Sequence, residues 1–274
     1  MTKLWNPKDA TLNPVVEKYT AGSDHLFDIE LMPFDITASK VHARGLEEIG
    51  ILSADESRVI ESTLEDLSKK VAAGEVTISY QDEDCHTAVE NYLVKELDDI
   101  GKKIHTGRSR NDQVLVALRL YMKANLTSVR HSCVELADAF LRFAKAHKDT
   151  PMAGYSHTQQ AMLSSVGHYM SNFVESLLDD ADLLTAIEKH VDKNPLGSAA
   201  GFGTSIPLNR EFSTRELQFG GLQVNSLYCQ NSRGKFESLY MEGLAQTMLT
   251  LGRFANDMLL FTSQEFDYFT VDDS

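Results

Sequence analysis

The chain has little of what would build a basic surface, a disulfide framework or a membrane span. Lys and Arg number 26 against 40 Asp and Glu, for a net charge of −14, and they form no cluster. Nucleic-acid binders carry a basic face, so a nucleic-acid partner is excluded and the acidity reads as solubility. The three cysteines, Cys85, Cys133 and Cys229, are odd in number, and no two have Cys-x-x-Cys spacing. A disulfide framework or zinc site is therefore not expected, and a reducing cytoplasm fits. No stretch approaches the roughly 20 consecutive apolar residues that a membrane helix needs. The start, Met1 to Pro7, has an apolar run too short for a secretory signal, and Pro7 breaks it. What remains is 42% hydrophobic and 24% charged, the balance of a soluble chain with a packed core.

The texture divides the chain. The first hundred or so residues read as short helices separated by turns. Ser53-Ala54-Asp55-Glu56 is a capping box, and Gly74 closes the helix it opens. Val76 to Tyr80 is the only stretch with β character, short enough to be extended loop. A further helix is expected from Thr87 to about Asp99, ending at Gly101. From Asn111 to about Ala146 neither Gly nor Pro occurs, and Leu115, Leu118, Met122, Leu126, Val129 and Cys133 recur at steps of three or four. That is the stripe of a long packed helix, roughly 50 Å at about 1.5 Å per residue. A second such helix is expected after Pro151, with Met162, Val166, Tyr169, Phe173 and Leu177 inward. A third is expected from near Gly234, with Met241, Leu244, Met248, Leu251, Ala255, Met258 and Phe261 inward. The expected fold class is all-α: a mostly helical N-terminal domain over residues 1–108, then a long-helix bundle over 109–274. The Gly/Ser/Pro-rich linker Asn194 to Gly203 is long for a bundle and therefore functional or mobile. Its Gly-x-Gly lacks the preceding strand that a dinucleotide site needs.

Polar residues gather just before two of the long helices. The first group is His105 to Gln113. Ser109, Asn111 or Asp112 could cap a helix whose N-terminal N–H groups attract an anion, and Arg108 and Arg110 add charge-assisted donors suited to a carboxylate. An ordinary capped helix start with solvated arginines is the plainer reading. The second group is Gly154 to Gln160, where His157 is flanked by Ser156, Thr158 and Gln159. Histidine is the usual side chain for proton transfer, although a lone loop histidine is more often nothing special. A third group, Gln81 to His86 with Glu90, places His86 and Glu90 four apart. Asp82 and Asp84 make a metal site conceivable, but the spacing is not His-Glu-x-x-His, and a capped acidic helix start with a paired histidine fits better.

Thr106-Gly107-Arg108-Ser109-Arg110-Asn111-Asp112-Gln113 resembles the signature of the argininosuccinate lyases, in the fumarase/aspartase superfamily. Gly154-Tyr155-Ser156-His157-Thr158-Gln159 is similar to their second block, where Thr usually fills the place of Ser156. Asp82 to His86 and the linker, including Phe202 to Arg210, also match, and the resemblance runs from about Leu4 to Ser274. Sister families carry the Asn of the first block without this Gly-Arg-Ser-Arg-Asn-Asp run.

The resemblance implies that Asn111 binds a substrate carboxylate with Arg110 beside it, that Ser156 contacts substrate and that His157 belongs to the acid–base machinery. Arg108, Ser109, Asp84, His86 and Gln159 support them. Ser23 or Asp24 lies near a substrate-contacting serine of relatives, without clean spacing. No metal or organic cofactor is implied. The implied reaction splits argininosuccinate into arginine and fumarate, and the implied assembly is a homotetramer with shared active sites and no membrane partner. Relatives carry a third block, a Gly-Ser-Ser-x-Met-Pro-x-Lys-x-Asn loop, which these residues lack. The expectation is therefore of a fragment, inactive alone, that stops before that loop and the C-terminal domain. Another superfamily lyase, such as an adenylosuccinate lyase, and a non-catalytic crystallin-like relative are the alternatives.

Overall fold

The computed structural model describes Tyr19 and residues 22–272. The Met1–Pro7 start, read above as no secretory signal, lies outside them, as does Ser274. In chain order the helices are α1 (Asp24–Phe27), α2 (Met32–Glu48), α3 (Ala54–Ala72), α4 (Cys85–Leu97), α5 (Asp99–Lys102) and α6 (Arg110–Ala146). They continue as α7 (Val166–Val191), α8 (Arg210–Glu216), α9 (Ser226–Asn231) and α10 (Lys235–Phe261). Strands β1 (Pro151–Ser156) and β2 (Gln159–Ser165) pair as an antiparallel hairpin, and β3 (Lys193–Asn194) and β4 (Gly221–Leu222) as a short parallel pair. The fold class is the expected helical one.

Local chemistry sets the helix ends. Glu56 N donates to Ser53 Oγ, and Ser53 N donates back to the Glu56 carboxylate. Gly74, at φ 71°, closes α3 with the paired bonds of a Schellman motif, Gly74 N to Val71 O and Glu75 N to Lys70 O. The helix expected to run to Gly101 stops at Leu97 instead. Gly101 serves a close approach, since a Cβ there would lie 2.4 Å from Leu93 O. Among the described residues Val76 to Ser79 is loop and pairs with no strand.

The chain forms two compact units. One holds the described residues up to Tyr121 with Lys193–Asn231; the other holds Met122–Asp192 with the described residues from Ser232 on. The division at residue 108 marks the change of texture, whereas the compact units part within α6 and return the linker to the first unit.

In the first unit, Met32, Ile36, Leu46, Ile60, Leu64 and Leu93 pack α2, α3 and α4 into one core. Val41, Val116, Leu196, Leu217 and Phe219 form a second core, which seats the linker. Arg210 holds the linker as well, its guanidinium donating to Leu196 O at 2.8 Å, Gln223 O at 2.9 Å and Val224 O at 3.2 Å.

In the second unit α10 packs along α7. The buried residues of α10 are Phe236, Gly243, Thr247, Thr250 and Phe261; of the expected stripe Phe261 is buried and Leu251 and Met258 pack against core residues, whereas Met241 and Met248 are 61% and 65% exposed. The physical reason is proximity: a Cβ on Gly243 would lie 2.5 Å from Ile187 Cδ1, so small residues must line that seam. The helix expected directly after Pro151 begins at Val166, capped by Ser165, and Met162 is an exposed strand residue. Gln159 to Leu163 are mostly helix formers, and the hairpin pairing overrides their local preference. Cys133 is buried, as its stripe position predicts. Among the described residues no helix is long and apolar enough to cross a membrane.

Candidate active site

The first block starts α6 and is built on a reciprocal cap. Ser109 O accepts from Gln113 N, Asn111 N donates to Ser109 Oγ at 3.3 Å, and Asp112 Oδ1 accepts from Ser109 N at 2.9 Å. The other Asp112 oxygen accepts from Gly197 N at 3.0 Å and Ala199 N at 2.9 Å. One fully buried carboxylate thereby folds the linker around itself, with Gly197 and Ala199 both at positive φ. Burial pushes its pKa up, against the pull of the three N–H donors and Arg108. Gly107, at φ 74° and with Leu208 Cδ1 only 3.1 Å from where a Cβ would stand, cannot be replaced without strain.

Beneath this turn lies a buried polar network. Asp35, fully buried, is 3.0 Å from His86 Nδ1 and accepts from Gln113 Nε2 at 3.2 and 3.3 Å. Burial alone would raise its pKa; His86, Arg108 and Gln113 outweigh that and hold it below the carboxylate range. Arg108 is itself buried and donates to Ser39 Oγ at 2.9 Å. Gln113 turns its oxygen to Arg110 Nη1 at 3.2 Å, and Arg110 also lies 3.5 Å from Glu90. Glu90 meets His105 Nδ1 at 3.0 Å. Asp84 caps α4 by accepting from Thr87 N at 2.7 Å. The expected capped helix start is present, but His86 pairs with Asp35 rather than with Glu90. His86 and Arg108 are therefore interior supports, Arg110 is half-buried among carboxylates, and Asn111 stands exposed on the first turn of α6. Ser23 and Asp24 lie exposed at the start of α1.

His42 joins the network from α2. Its Nε2–H donates to Thr106 O at 2.9 Å, and burial, reinforced by the nearby Arg108 charge, pushes its pKa down to about 3. Its folded pKa lies below its unfolded one, so the unfolded chain takes up a proton first as pH falls. Stability contributed by neutral His42 is present above about pH 6.5 and is lost below it, by up to about 1.4 kcal/mol per pH unit. We expect His42→Gln to flatten the decline between about pH 6 and 4 in urea titrations followed by circular dichroism. An unchanged slope would contradict the assignment.

The second block is the hairpin tip in the other unit. Its two central residues, His157 and Thr158, adopt φ 53° and 62°, the left-handed pair of a type I′ turn that normally selects Asn-Gly. A histidine in that conformation carries a backbone cost that packing does not explain, since Ser156 to Gln159 are all exposed. Ser156 Oγ and His157 Nδ1 are 2.9 Å apart, which orients the ring and leaves Nε2 without a protein partner among the described residues. Gln159 pairs across the turn with Ser156.

Asp35 was not singled out in the sequence, and Asp112 only as a possible helix cap, yet Asp35 left a readable trace. It sits with Met32, Ile36 and Ser39 on the buried face of α2, where a lone carboxylate needs partners.

Residues 9–274 match the model of a lyase family. The argininosuccinate lyase of Thermotoga neapolitana is 42% identical over 97% of this chain and 67% of its own length. That of Stenotrophomonas maltophilia is 43% identical over 97% of this chain and 62% of its own. The chain thus spans a little under or about two thirds of the curated relatives it matches. Among solved structures, EDDS lyase in complex with formate superposes with a TM-score of 0.81 at 26% identity, over 97% of this chain and 52% of that one. A fumarate lyase:delta crystallin from Brucella melitensis shares the fold, at a TM-score of 0.78 and 17% identity over 95% of this chain and 63% of that one. With the Arg108–Gln113 turn and the Ser156–His157 hairpin in place, these matches put the chain in the fumarase/aspartase superfamily, and it belongs to the argininosuccinate lyase family.

Proposed function

We propose that the whole protein is an argininosuccinate lyase of arginine biosynthesis, working in the cytoplasm as a homotetramer. In the reaction a base removes the proton from the carbon beside a carboxylate, and the electron pair spreads into that carboxylate. The carbon–nitrogen bond then breaks, its electrons leave with nitrogen, and an acid protonates the departing guanidino group, giving fumarate and arginine. His157 serves proton transfer, with Ser156 fixing its Nδ1 and contacting substrate. Asn111, on the positive end of α6, receives a substrate carboxylate with Arg110 at its side. The observation that carries the reading is His157 itself, held exposed in a costly left-handed turn with one nitrogen engaged and the other unpaired. Exposed Met241, Met248, Leu249 and Leu178 on the long helices support association between copies.

On this reading the full-length gene restores growth without arginine to a strain lacking its own lyase, whereas residues 1–274 alone do not. In vitro the full-length enzyme cleaves argininosuccinate in preference to adenylosuccinate. Failure to complement, or preference for adenylosuccinate, would overturn the substrate assignment. A full-length protein that scatters light as a monomer would overturn the assembly.

A further inference from the structure

The hairpin that presents His157 is short, carries a register break and bears a strained turn, so something outside its own ladder must fix it. Pairing runs from Pro151↔Ser165 to Gly154↔Met162, then slips to Tyr155↔Gln160, which leaves Ala161 as the extra residue of a bulge. A bulge re-aims the strand beyond it, and the residues beyond it here are Tyr155, Ser156 and the turn. Gly154 permits the bend, since a Cβ there would be 3.2 Å from Met162 O.

Tyr155 is where the bent tip meets the rest of its unit. Its ring lies 5.4 Å from Phe266 and 6.3 Å from Phe261, centre to centre. Its hydroxyl is 3.0 Å from the Tyr268 hydroxyl and accepts from Gln160 Nε2 at 3.3 Å. Tyr268 is fixed in turn, because the segment after α10 folds back on the helix end: Tyr268 N donates to Phe261 O at 2.9 Å, and Asp267 N to Ser263 O at 2.8 Å. The ring of Tyr268 stands 5.7 Å from Phe261. Ring contacts to Phe261, Phe266 and Tyr268 and a hydroxyl pair therefore join the hairpin, one residue before Ser156, to the end of α10 and the segment leaving it.

We propose that Tyr155 and Tyr268 form a latch that sets the turn carrying Ser156 and His157, which makes both tyrosines positioning residues for proton transfer. The inference rests on the acid–base reading of His157. It ties the aim of that histidine to the course of the chain after α10, so a movement of residues 262–269 is felt at the turn.

The test is a double-mutant cycle of Tyr155→Phe and Tyr268→Phe, substitutions that keep both rings and delete the hydroxyl pair. Amide hydrogen exchange at Ser156 to Gln159 is expected to quicken about threefold in each single variant and no further in the double, while the centre of α7 stays as protected as before. In the full-length enzyme kcat for argininosuccinate is expected to fall by a similar factor with KM unchanged. Unaltered exchange in either single variant, or additive effects, overturns the latch. Altered exchange with unmoved kcat overturns the positioning role. Should the full-length protein fail to cleave argininosuccinate, the exchange measurements still decide the latch by themselves.

Discussion

Replacing His157 by glutamine in the full-length protein is expected to lower kcat for argininosuccinate by about 10² to 10⁴-fold, the usual contribution of a positioned acid–base group. Gln keeps a polar side chain of similar reach but cannot exchange a proton at the reacting atom. KM should change little, because the carboxylate contacts assigned to Asn111 and Arg110 are untouched. Ser156 and Thr158 are neighbours on the same exposed tip, and no core contact depends on the ring. The melting temperature should therefore stay within the range of surface substitutions. A variant that keeps more than a tenth of the wild-type kcat would remove His157 from the chemistry. A variant that raises KM alone would make it a binding residue.

The second large effect is on stability. Asp35→Ala should destabilise the fold by about 3–5 kcal/mol, the cost of removing one partner from a buried ionic cluster. Asp35 is the acceptor on which His86, Gln113 and the field of Arg108 converge, and all four are buried. Its loss leaves the Arg108 charge and the Gln113 amide without their anion beneath the first block. Asp35→Asn, which keeps the volume and one oxygen, should lose clearly less. Urea unfolding followed by circular dichroism at neutral pH measures both, and a loss under about 1 kcal/mol for the alanine variant would show that the cluster is not anchored on Asp35.

How much of this was legible depended on how locally each feature is decided. The capping box at Ser53 and the glycine stop at Gly74 need only their own neighbours, and both form as their spacing predicts. The stripes of α6 and α7 reflect burial along one helix and were readable by period. The hairpin was not, because Gln159 to Leu163 look helical and only pairing with Pro151 to Ser156 makes them a strand. On α10 the period finds Leu251, Met258 and Phe261, but it also points Met241 and Met248 inward, where the close helix contact takes Gly243, Thr247 and Thr250 instead. At the site, the residue types around Arg108 and His157 were visible in the chain. The support of the first block by Asp35 from α2, and of the linker by Asp112, arises from contacts 78 and 85 residues apart in sequence. No window along the chain reveals such pairs.

An enzyme built on the Asn111 and His157 blocks, as proposed, eliminates fumarate from argininosuccinate. That activity is tested by incubating the purified full-length protein with argininosuccinate and quantifying both products. Arginine and fumarate are expected in equal amounts, formed by the wild type and nearly absent with His157→Gln. A folded wild type that releases neither product, or a His157→Gln variant that releases both at the wild-type rate, would contradict it.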